Sequence, residues 1–489
     1  MQGVDRRRAV ACYLSRVSFR SGGEEAALGA RGSHWGWVDR GCRDPPSRSP
    51  GWGLSIGTLP SGGKPARPSR CCMLGLRIRL LAREAGLILD SAYITYWSLR
   101  DPLCQSQSLP IVRSLVRRGY RMALVTFEQS AYSLTAAERA NQKGLLERDG
   151  ILWRPLTYHK RPRILATLWD IVAGAFQATT LQRAYHARLL HGRGTVAAAM
   201  ASIAARSWRS KFFNDADGPL SEEYVDAGVW GRGSIGHRLT SFGERRSLAT
   251  ADAVAVLSSL RRDEAQQFSR SRVEVLPCAV DTAQFVRDSD VGRAMRRELD
   301  LRGTVLAYSG KAGGWYRSDL LFSFAQAFRQ AVGDSTLLVL TTDAPESFLR
   351  PANEAGVPCV VRRATREEMP GYLSAADVGL SFRLATSSQT ACSPVKNGEY
   401  LACGLPVVMT PVCGDYPALA EGRGVGLVLR GERQEELRAA ARQLGAMLRE
   451  PDLASRCRNV AVSEVGLSEV VVPRYIRIYE ALLGPPRRE

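Results

Sequence analysis

The sequence predicts an α/β protein in which two doubly wound domains face each other across a cleft. Strand and helix patterns alternate from Ile88 onward, and a second series of the same kind begins at Val305. Such alternation is typical of parallel sheets that are covered by helices and bind ligands at the carboxyl ends of their strands. With 489 residues, of which 45% are apolar, the chain is long enough to bury two cores.

The first series predicts a domain over residues 73–277. Apolar runs bounded by turn residues predict strands over residues 92–97, 122–127, 211–214 and 253–257. A turn at residues 100–104 leads into a helix that continues through Arg118, where Gly119 closes it. These elements form a βαβ unit, which implies a parallel sheet.

The second series predicts a domain over residues 278–470. Its first strand, over residues 305–310, runs into a glycine-containing loop, and a helix follows over residues 318–331. Further strands are predicted over residues 337–340, 378–382 and 407–409. Residues 471–489 would hold a closing C-terminal helix, centred on residues 475–483. Two facing domains of this kind hold a ligand between them.

Residues 1–72 are predicted to form a disordered, basic extension in front of the fold. They are rich in Arg, Gly, Ser and Pro, show no sustained period, and hold twelve basic against five acidic residues. Met73 is an alternative start of translation. A secretory signal is not expected because no uninterrupted apolar core follows residues 6–8, whereas a transit peptide stays open.

The net charge of +19 favours an anionic partner, which is a nucleic acid, a membrane surface or a phosphorylated metabolite. Residues 154–213 hold ten Lys or Arg and only Asp170 to oppose them, which would draw this domain toward acidic lipid headgroups; a solvated surface is the alternative. The eleven cysteines include no Cys-x-x-Cys pair, so a reducing cytoplasm is expected. No uninterrupted run of eighteen apolar residues is present, so the chain is not expected to span a bilayer, although it could lie against one.

A short helix motif between Ser393 and Gly404 carries the strongest functional signal. Ser393 suits the N-cap, Pro394 suits the first helical position, and Gly404 suits the left-handed residue that ends the helix. Lys396 lies in the first turn, where free N–H groups and the helix dipole favour a phosphate, and Glu399 shares its face. A phosphate site beside a carboxylate suits a nucleotide, whose ribose hydroxyls need a partner.

A second phosphate signal lies in the loop Gly310-Lys311-Ala312-Gly313-Gly314, directly after the first strand of the second domain. Its glycines let the backbone approach an anion closely, and Lys311 supplies a charge; an ordinary turn is the alternative. Because parallel strands end at the same edge of a sheet, Lys311 and Lys396 are expected to share one diphosphate.

The polar candidates of the first domain are His191, in the segment over residues 190–194, and Asp215 and Asp217, in the loop after the strand predicted over residues 211–214. A structural role is more common for each of these residue types, so it stays the alternative to a role in binding or catalysis. No hydrolase triad and no metal-binding motif occurs, so neither a protein-held metal nor a cofactor is expected.

On these residues and others, the chain resembles the family 4-type, group 1 retaining glycosyltransferases, whose GT-B fold has two Rossmann-like domains. Residues 101–107 resemble the Asp-Pro-Leu-Gly-Gln-Ser-Gln loop of a bacterial subgroup, and the Ser393 segment resembles its donor-site motif. Further segments of the resemblance lie at residues 118–120, 125–128, 158–162, 191–193, 223–230, 251–254, 277–281, 313–316 and 376–379. The likeness covers about residues 86–430.

The resemblance implies transfer of a sugar, with retained configuration, from a nucleotide-sugar to a glycan or lipid-linked acceptor in cell-surface polysaccharide or glycolipid synthesis. Together with the basic first domain, it leads us to expect a cytoplasmic enzyme at the inner membrane face, with an anionic membrane surface as a further partner. Nucleic acid is not expected, since part of the charge excess lies in residues 1–72. The implied donor-binding residues are Gly310, Lys311, Gly313, Gly314, Lys396, Asn397, Gly398 and Glu399, with Glu399 on the ribose and the lysines on the diphosphate. The implied catalytic residues are His191 and Asp215, facing the cleft, with Lys311, and the implied acceptor-side residues are Gln105, Ser106 and Arg193.

Three positions depart from the family pattern. Ala391 stands eight residues before Glu399, where the wider family often has a second glutamate. Cys104 stands where the subgroup has Gly, and Asp217 stands where it has Arg. Ala391 and Asp217 favour one alternative, a non-catalytic nucleotide-binding or glycan-binding homologue of the same fold. The other alternative is a sugar-nucleotide epimerase with a similar two-domain shape.

Overall fold

The computed structural model describes residues 88–208 and 210–486. The predictions on residues 1–72 and on Met73 lie outside these residues. The described chain forms two parallel sheets, one of seven strands and one of six, with helices packed on them. The predicted α/β class with two doubly wound units is therefore confirmed.

The first sheet has the strand order β3-β2-β1-β4-β5-β6-β7. Its strands are β1 (Ser91–Thr95), β2 (Met122–Glu128), β3 (Ile151–Thr157), β4 (Leu189–Arg193), β5 (Lys211–Ala216), β6 (Ala253–Val256) and β7 (Val273–Val275). The helices of this part are α1 (Leu109–Arg117), α2 (Ala136–Arg148), α3 (Arg163–Tyr185), α4 (Thr195–Trp208), α5 (Leu220–Asp226), α6 (Ile235–Thr250) and α7 (Ser259–Gln266). All five residues of β1 are buried, as expected for a central parallel strand that is covered on both faces.

The second sheet has the strand order β10-β9-β8-β11-β12-β13. Its strands are β8 (Thr304–Ser309), β9 (Ser335–Leu340), β10 (Cys359–Arg362), β11 (Val378–Ser381), β12 (Val407–Met409) and β13 (Gly426–Val428). The helices that follow α7 are α8 (Ser289–Glu298), α9 (Ser318–Ala331), α10 (Glu346–Glu354), α11 (Met369–Ser374), α12 (Ser387–Thr390), α13 (Val395–Ala402), α14 (Tyr416–Gly422), α15 (Gln434–Met447), α16 (Leu453–Val460) and α17 (Val472–Leu483). Helix α9 has the predicted bounds, because the residues that define its apolar face and its flanking turns lie within the helix or next to it in the sequence.

The C-terminal helix α17 packs on the first sheet, although it follows the whole second sheet in the chain. Its buried Tyr475 and Tyr479 join Tyr93 and Phe213 in one apolar cluster. The chain therefore crosses back from the second sheet to close the core of the first. The domain boundaries drawn from the sequence stay a prediction.

Candidate functional site

Helix α13 begins one residue later than predicted. Pro394 is its N-cap, and Ser393 does not cap it. The Ser393 hydroxyl instead accepts a hydrogen bond from the backbone N–H of Cys278 at 3.1 Å. The predicted cap is therefore wrong, because an N–H group of the segment that joins the two sheets competes for the same oxygen. The predicted end is confirmed, since Gly404 has a φ of 74°.

Lys396 lies on the first turn of α13 with its Nζ atom inside the protein. The amine lies 4.3 Å from the centroid of the Tyr308 ring and 4.8 Å from that of Tyr316, and it makes no hydrogen bond. Burial, reinforced by the Arg383 guanidinium, lowers the pKa of Lys396 to about 7. An amine held only by ring faces is an unsatisfied cation, which an anion would stabilise.

Arg383 is a second cation at this position that the sequence analysis did not single out. Its guanidinium lies 5.2 Å from the Tyr316 ring centroid and donates to Gln389, while its Nε atom is buried without a partner. It is the first charged residue after β11, and the rule that pointed to Lys311 after β8 would have found it. Arg383 and Lys396 together form the cationic pair of the site.

The glycine loop after β8 lies beside this cationic pair. Gly310, Gly313 and Gly314 have φ angles of 153°, 75° and 66°, which favour glycine. The Tyr308 hydroxyl donates to the carbonyl of Lys311 at 2.7 Å, while the same ring carries the Lys396 amine on its face. The expectation that the loop and α13 open on one edge of the sheet is therefore confirmed.

Lys311 lies at the boundary with the first domain. Burial raises the pKa of Asp101 in that domain, and the charge of Lys311 opposes this shift. The Lys311 ammonium therefore lies close enough to the first domain for its charge to act on Asp101. Its assignment to the diphosphate stays a prediction.

The other predicted donor residues of α13 have different surroundings. Glu399 is buried and its Oε1 atom accepts from Arg366 at 3.0 Å; burial raises the pKa of Glu399, and the Arg366 charge opposes the shift. Asn397 is fully buried, and neither amide atom of its side chain has a partner. At Gly398 a Cβ atom would lie 3.1 Å from the Tyr416 hydroxyl, so this glycine belongs to the packed side of the helix. A donor contact by these three residues stays a prediction.

His191 and Asp215 belong to a closed polar network under α17. His191 Nδ1 lies 2.9 Å from the Tyr479 hydroxyl, and Nε2 lies 3.3 Å from Asp215 Oδ2. The same carboxylate oxygen accepts from Arg193 and from the Tyr475 hydroxyl, both at 2.6 Å. Because α17 covers them, the side chains of His191 and Asp215 are 0% exposed. The expectation that they face the cleft is therefore wrong, and their catalytic role stays a prediction, as does the place of Arg193 on the acceptor side.

The charges in this network are fixed by burial and by one ion pair. Burial lowers the pKa of His191, so the imidazole is neutral. Burial alone would raise the pKa of Asp215, but the Arg193 guanidinium and the His191 ring hold it at about 2. The network thus holds a carboxylate and a guanidinium that neutralise each other inside the core.

Asp217 and Glu223 are two carboxyl groups that follow β5, on the segment that contacts the second domain through Asp226. Both are enclosed by protein but keep solvent contact, and burial raises the pKa of Asp217 to about 6 and that of Glu223 to about 8. The Arg383 charge acts on Glu223 from the second domain. Close by, Asp226 accepts the backbone N–H of Ser388 at 2.9 Å. Asp217, Glu223 and Asp226 form an acidic wall, in which Glu223 is close enough to Arg383 for their charges to interact and Asp226 bonds the second domain.

The side chains of the predicted acceptor-side loop make contacts inside the protein. Gln105 donates to a backbone carbonyl at 2.6 Å, and Ser106 is buried; both lie in the turn Cys104–Ser108. Gln107 bonds both backbone groups of Ala279, at 3.0 and 2.8 Å, and so holds the link between the sheets. An acceptor contact by Gln105 or Ser106 stays a prediction. In residues 88–208 and 210–486 no cluster of three or more His, Cys, Asp or Glu side chains could hold a metal.

Each sheet matches one protein-family model. The first matches the glycosyl transferase 4-like domain over residues 105–279, and the second matches the glycosyl transferases group 1 over residues 304–446. Together the two matched ranges span more than half of the chain. The chain therefore carries a glycosyl transferase 4-like domain followed by a glycosyl transferases group 1 domain, which supports glycosyl transfer as its activity. No curated protein gives a significant sequence match.

Solved structures share the fold of this glycosyltransferase. Anabaena HepE in complex with UDP and glucose is 16% identical, with 80% of this chain and 99% of that chain covered at a TM-score of 0.57. WaaG, a glycosyltransferase of lipopolysaccharide biosynthesis, is also 16% identical, with coverages of 81% and 100% and a TM-score of 0.57. A glycosyltransferase from Rickettsia africae is 12% identical, with coverages of 81% and 99% and a TM-score of 0.59. The GT-B fold is therefore confirmed.

Proposed function

We propose that this glycosyltransferase moves a glycosyl group from a nucleotide-sugar to a hydroxyl of a glycan or lipid-linked acceptor, with retained configuration. The observation that carries the proposal is the buried, unpaired Lys396 amine beside Arg383, at the mouth of the glycine loop. Two cations and an approachable backbone suit a diphosphate. HepE holds UDP and glucose and WaaG takes part in lipopolysaccharide biosynthesis, which supports this donor class and a cell-surface product.

The proposed step breaks the bond between the anomeric carbon and the phosphate oxygen of the donor. Lys396 and Arg383 offset the negative charge that develops on the departing diphosphate. The acceptor oxygen bonds to the anomeric carbon on the same face, and its proton passes to the departing phosphate oxygen. The chain then contributes positioning and charge stabilisation rather than a covalent nucleophile. The donor is a substrate, and the step calls for no further cofactor.

A panel of UDP-, GDP- and TDP-sugars, incubated with the full chain, tests the proposal. We expect one donor to bind, to be hydrolysed slowly alone, and to be consumed faster when an acceptor is present. NMR of the product should show the anomeric configuration of the donor. Failure of every donor to bind would contradict the proposal, and a new sugar nucleotide formed without acceptor would indicate an epimerase.

Binding of a nucleoside diphosphate should take up a proton near neutral pH. Lys396 has a pKa of about 7, and a bound diphosphate raises that pKa by attraction. Affinity is therefore fully present below pH 7 and falls as the pH rises from there toward the raised pKa, by up to about tenfold per pH unit. Calorimetry of UDP binding at about pH 8, in two buffers of different ionisation enthalpy, measures the uptake. Equal uptake by the Lys396→Met variant would assign the proton to another group.

A further inference from the structure

Helix α3 presents an apolar face to the outside of the first domain. Leu165, Trp169, Val172 and Phe176 recur at helical spacing, and they are 65%, 62%, 62% and 74% exposed. The helix has 23 residues and is long and apolar enough to cross a membrane, although a third of its most apolar stretch is buried. The sequence shows no uninterrupted apolar run here because polar residues such as Asp170 and Gln177 interrupt the helix.

The opposite side of α3 ties this helix to the sheet. Ala178 and Leu181 lie in the core beneath it. Asp170 is fully buried, and its carboxylate accepts from the Tyr96 hydroxyl at 2.6 Å and from the His159 backbone at 3.0 Å. Passage across a bilayer would break these contacts and expose the core to lipid. The geometry therefore favours a helix that lies on a surface and does not span it.

The neighbouring helices extend this apolar face. Gly174 of α3 packs closely on Met200 of α4, and Ser202 of α4 lies 3.2 Å from Thr250 of α6, oxygen to oxygen. The three helices thus lie side by side on one side of the sheet. The further exposed large apolar side chains on them are Ile164, Leu168, Ile203, Ile235, Leu239 and Phe242.

The charges around this apolar face have one sign. The exposed basic residues on the three helices and at the start of α3 are Arg161, Arg163, Arg183, Arg206, Arg238, Arg245 and Arg246. The two acidic residues of these helices are turned inward, since Asp170 is buried and Glu244 accepts from Ser221 at 2.6 Å. A second copy would bring two basic rims together, whereas anionic lipid complements them.

We propose that the apolar face of α3, α4 and α6 docks on an anionic lipid bilayer. The apolar side chains enter the headgroup boundary and the arginines contact the acidic headgroups. Helix α6 also reaches the cleft, because Glu244 holds Ser221 in the same segment as Glu223. The docking does not rest on the proposed reaction, but it would present the acidic wall to a lipid-linked acceptor.

Sedimentation of the full chain with sucrose-loaded vesicles tests the docking. We expect binding to phosphatidylcholine vesicles that contain phosphatidylglycerol, and weaker binding to pure phosphatidylcholine. The Trp169→Ser/Phe176→Ser variant should bind about tenfold more weakly or worse, since these side chains carry the largest apolar areas of the helix. The matched control is Leu145→Ser/Val291→Ser, which removes two exposed apolar side chains elsewhere, 38% and 41% exposed, and should bind as the parent does.

Three outcomes would overturn the proposal. Equal binding by the parent and the Trp169→Ser/Phe176→Ser variant would place the membrane contact elsewhere. A parent that ignores vesicles but forms a dimer that this variant dissolves would assign the face to a second copy. Resistance to alkaline carbonate extraction from cell membranes would indicate a spanning helix. Thermal unfolding of both variants, compared with the parent, shows that the fold is retained.

Discussion

Replacement of Lys396 by Met should lower kcat/KM for the nucleotide-sugar roughly 10²–10³-fold, the loss that follows removal of one preorganised group that stabilises developing charge. Stability should not fall in parallel. The Lys396 amine is buried without a hydrogen bond, and the Met side chain fills similar space without a charge that needs a partner. The thermal midpoint should therefore stay the same or rise. Steady-state kinetics and thermal unfolding of the same preparation measure both quantities.

A matched control separates this effect from a general loss of positive charge. Lys143 is 55% exposed and pairs with Glu147 at 3.6 Å, so Lys143→Met should change neither kinetics nor the thermal midpoint measurably. Full activity of Lys396→Met would contradict the diphosphate role. A variant that loses activity only because its thermal midpoint collapses would show that the amine supports the fold.

Much of the candidate site in the second domain could be predicted because its signals are local. Glycines that need a positive φ, a strand written as an apolar run, and the shared edge of parallel strands are enough to bring Lys396 and the Gly310 loop together. The same patterns predicted Glu399 as a site residue, but they did not predict its ion pair with Arg366. That pairing depends on how a separate loop folds back onto the helix. Local patterns place a residue at an edge of a sheet, but they do not give its partner.

The first-domain site could not be predicted because long-range packing decides it. Tyr475 and Tyr479 reach His191 and Asp215 only after the chain has passed through the whole second sheet. Nothing near His191 in the sequence indicates that a helix seals it. The prediction that Ser393 caps the helix was wrong for a related reason, since its hydroxyl accepts a hydrogen bond from the N–H group of Cys278 instead. Where two distant segments meet, capping and spacing rules compete with contacts that the sequence does not display.

Substitution of Asp215 by Asn should destabilise the first domain by about 3–5 kcal/mol, because it leaves Arg193 as an uncompensated buried charge. The carboxylate whose charge would be lost accepts from Arg193 and Tyr475 at 2.6 Å, and both ionic partners are almost wholly buried. The pKa of Asp215, about 2, lies below its unfolded value of about 3.9. The parent therefore holds this stabilisation above pH 4 and loses it as the pH falls toward 2, whereas the Asn variant lacks the dependence. Urea unfolding at several pH values measures both effects.

Comparison with an exposed pair decides whether burial causes the loss. Arg113 and Asp149 lie 2.8 Å apart with 41% and 40% of their side chains exposed, so Asp149→Asn should cost no more than about 1 kcal/mol. Equal losses at Asp149 and Asp215 would mean that the sealed network contributes no more than a surface ion pair. A catalytic Asp215 would give the opposite signature: kcat of the folded Asp215→Asn protein would fall while its unfolding midpoint stayed unchanged. That result would return Asp215 to the substrate side, and would require α17 to move away during turnover.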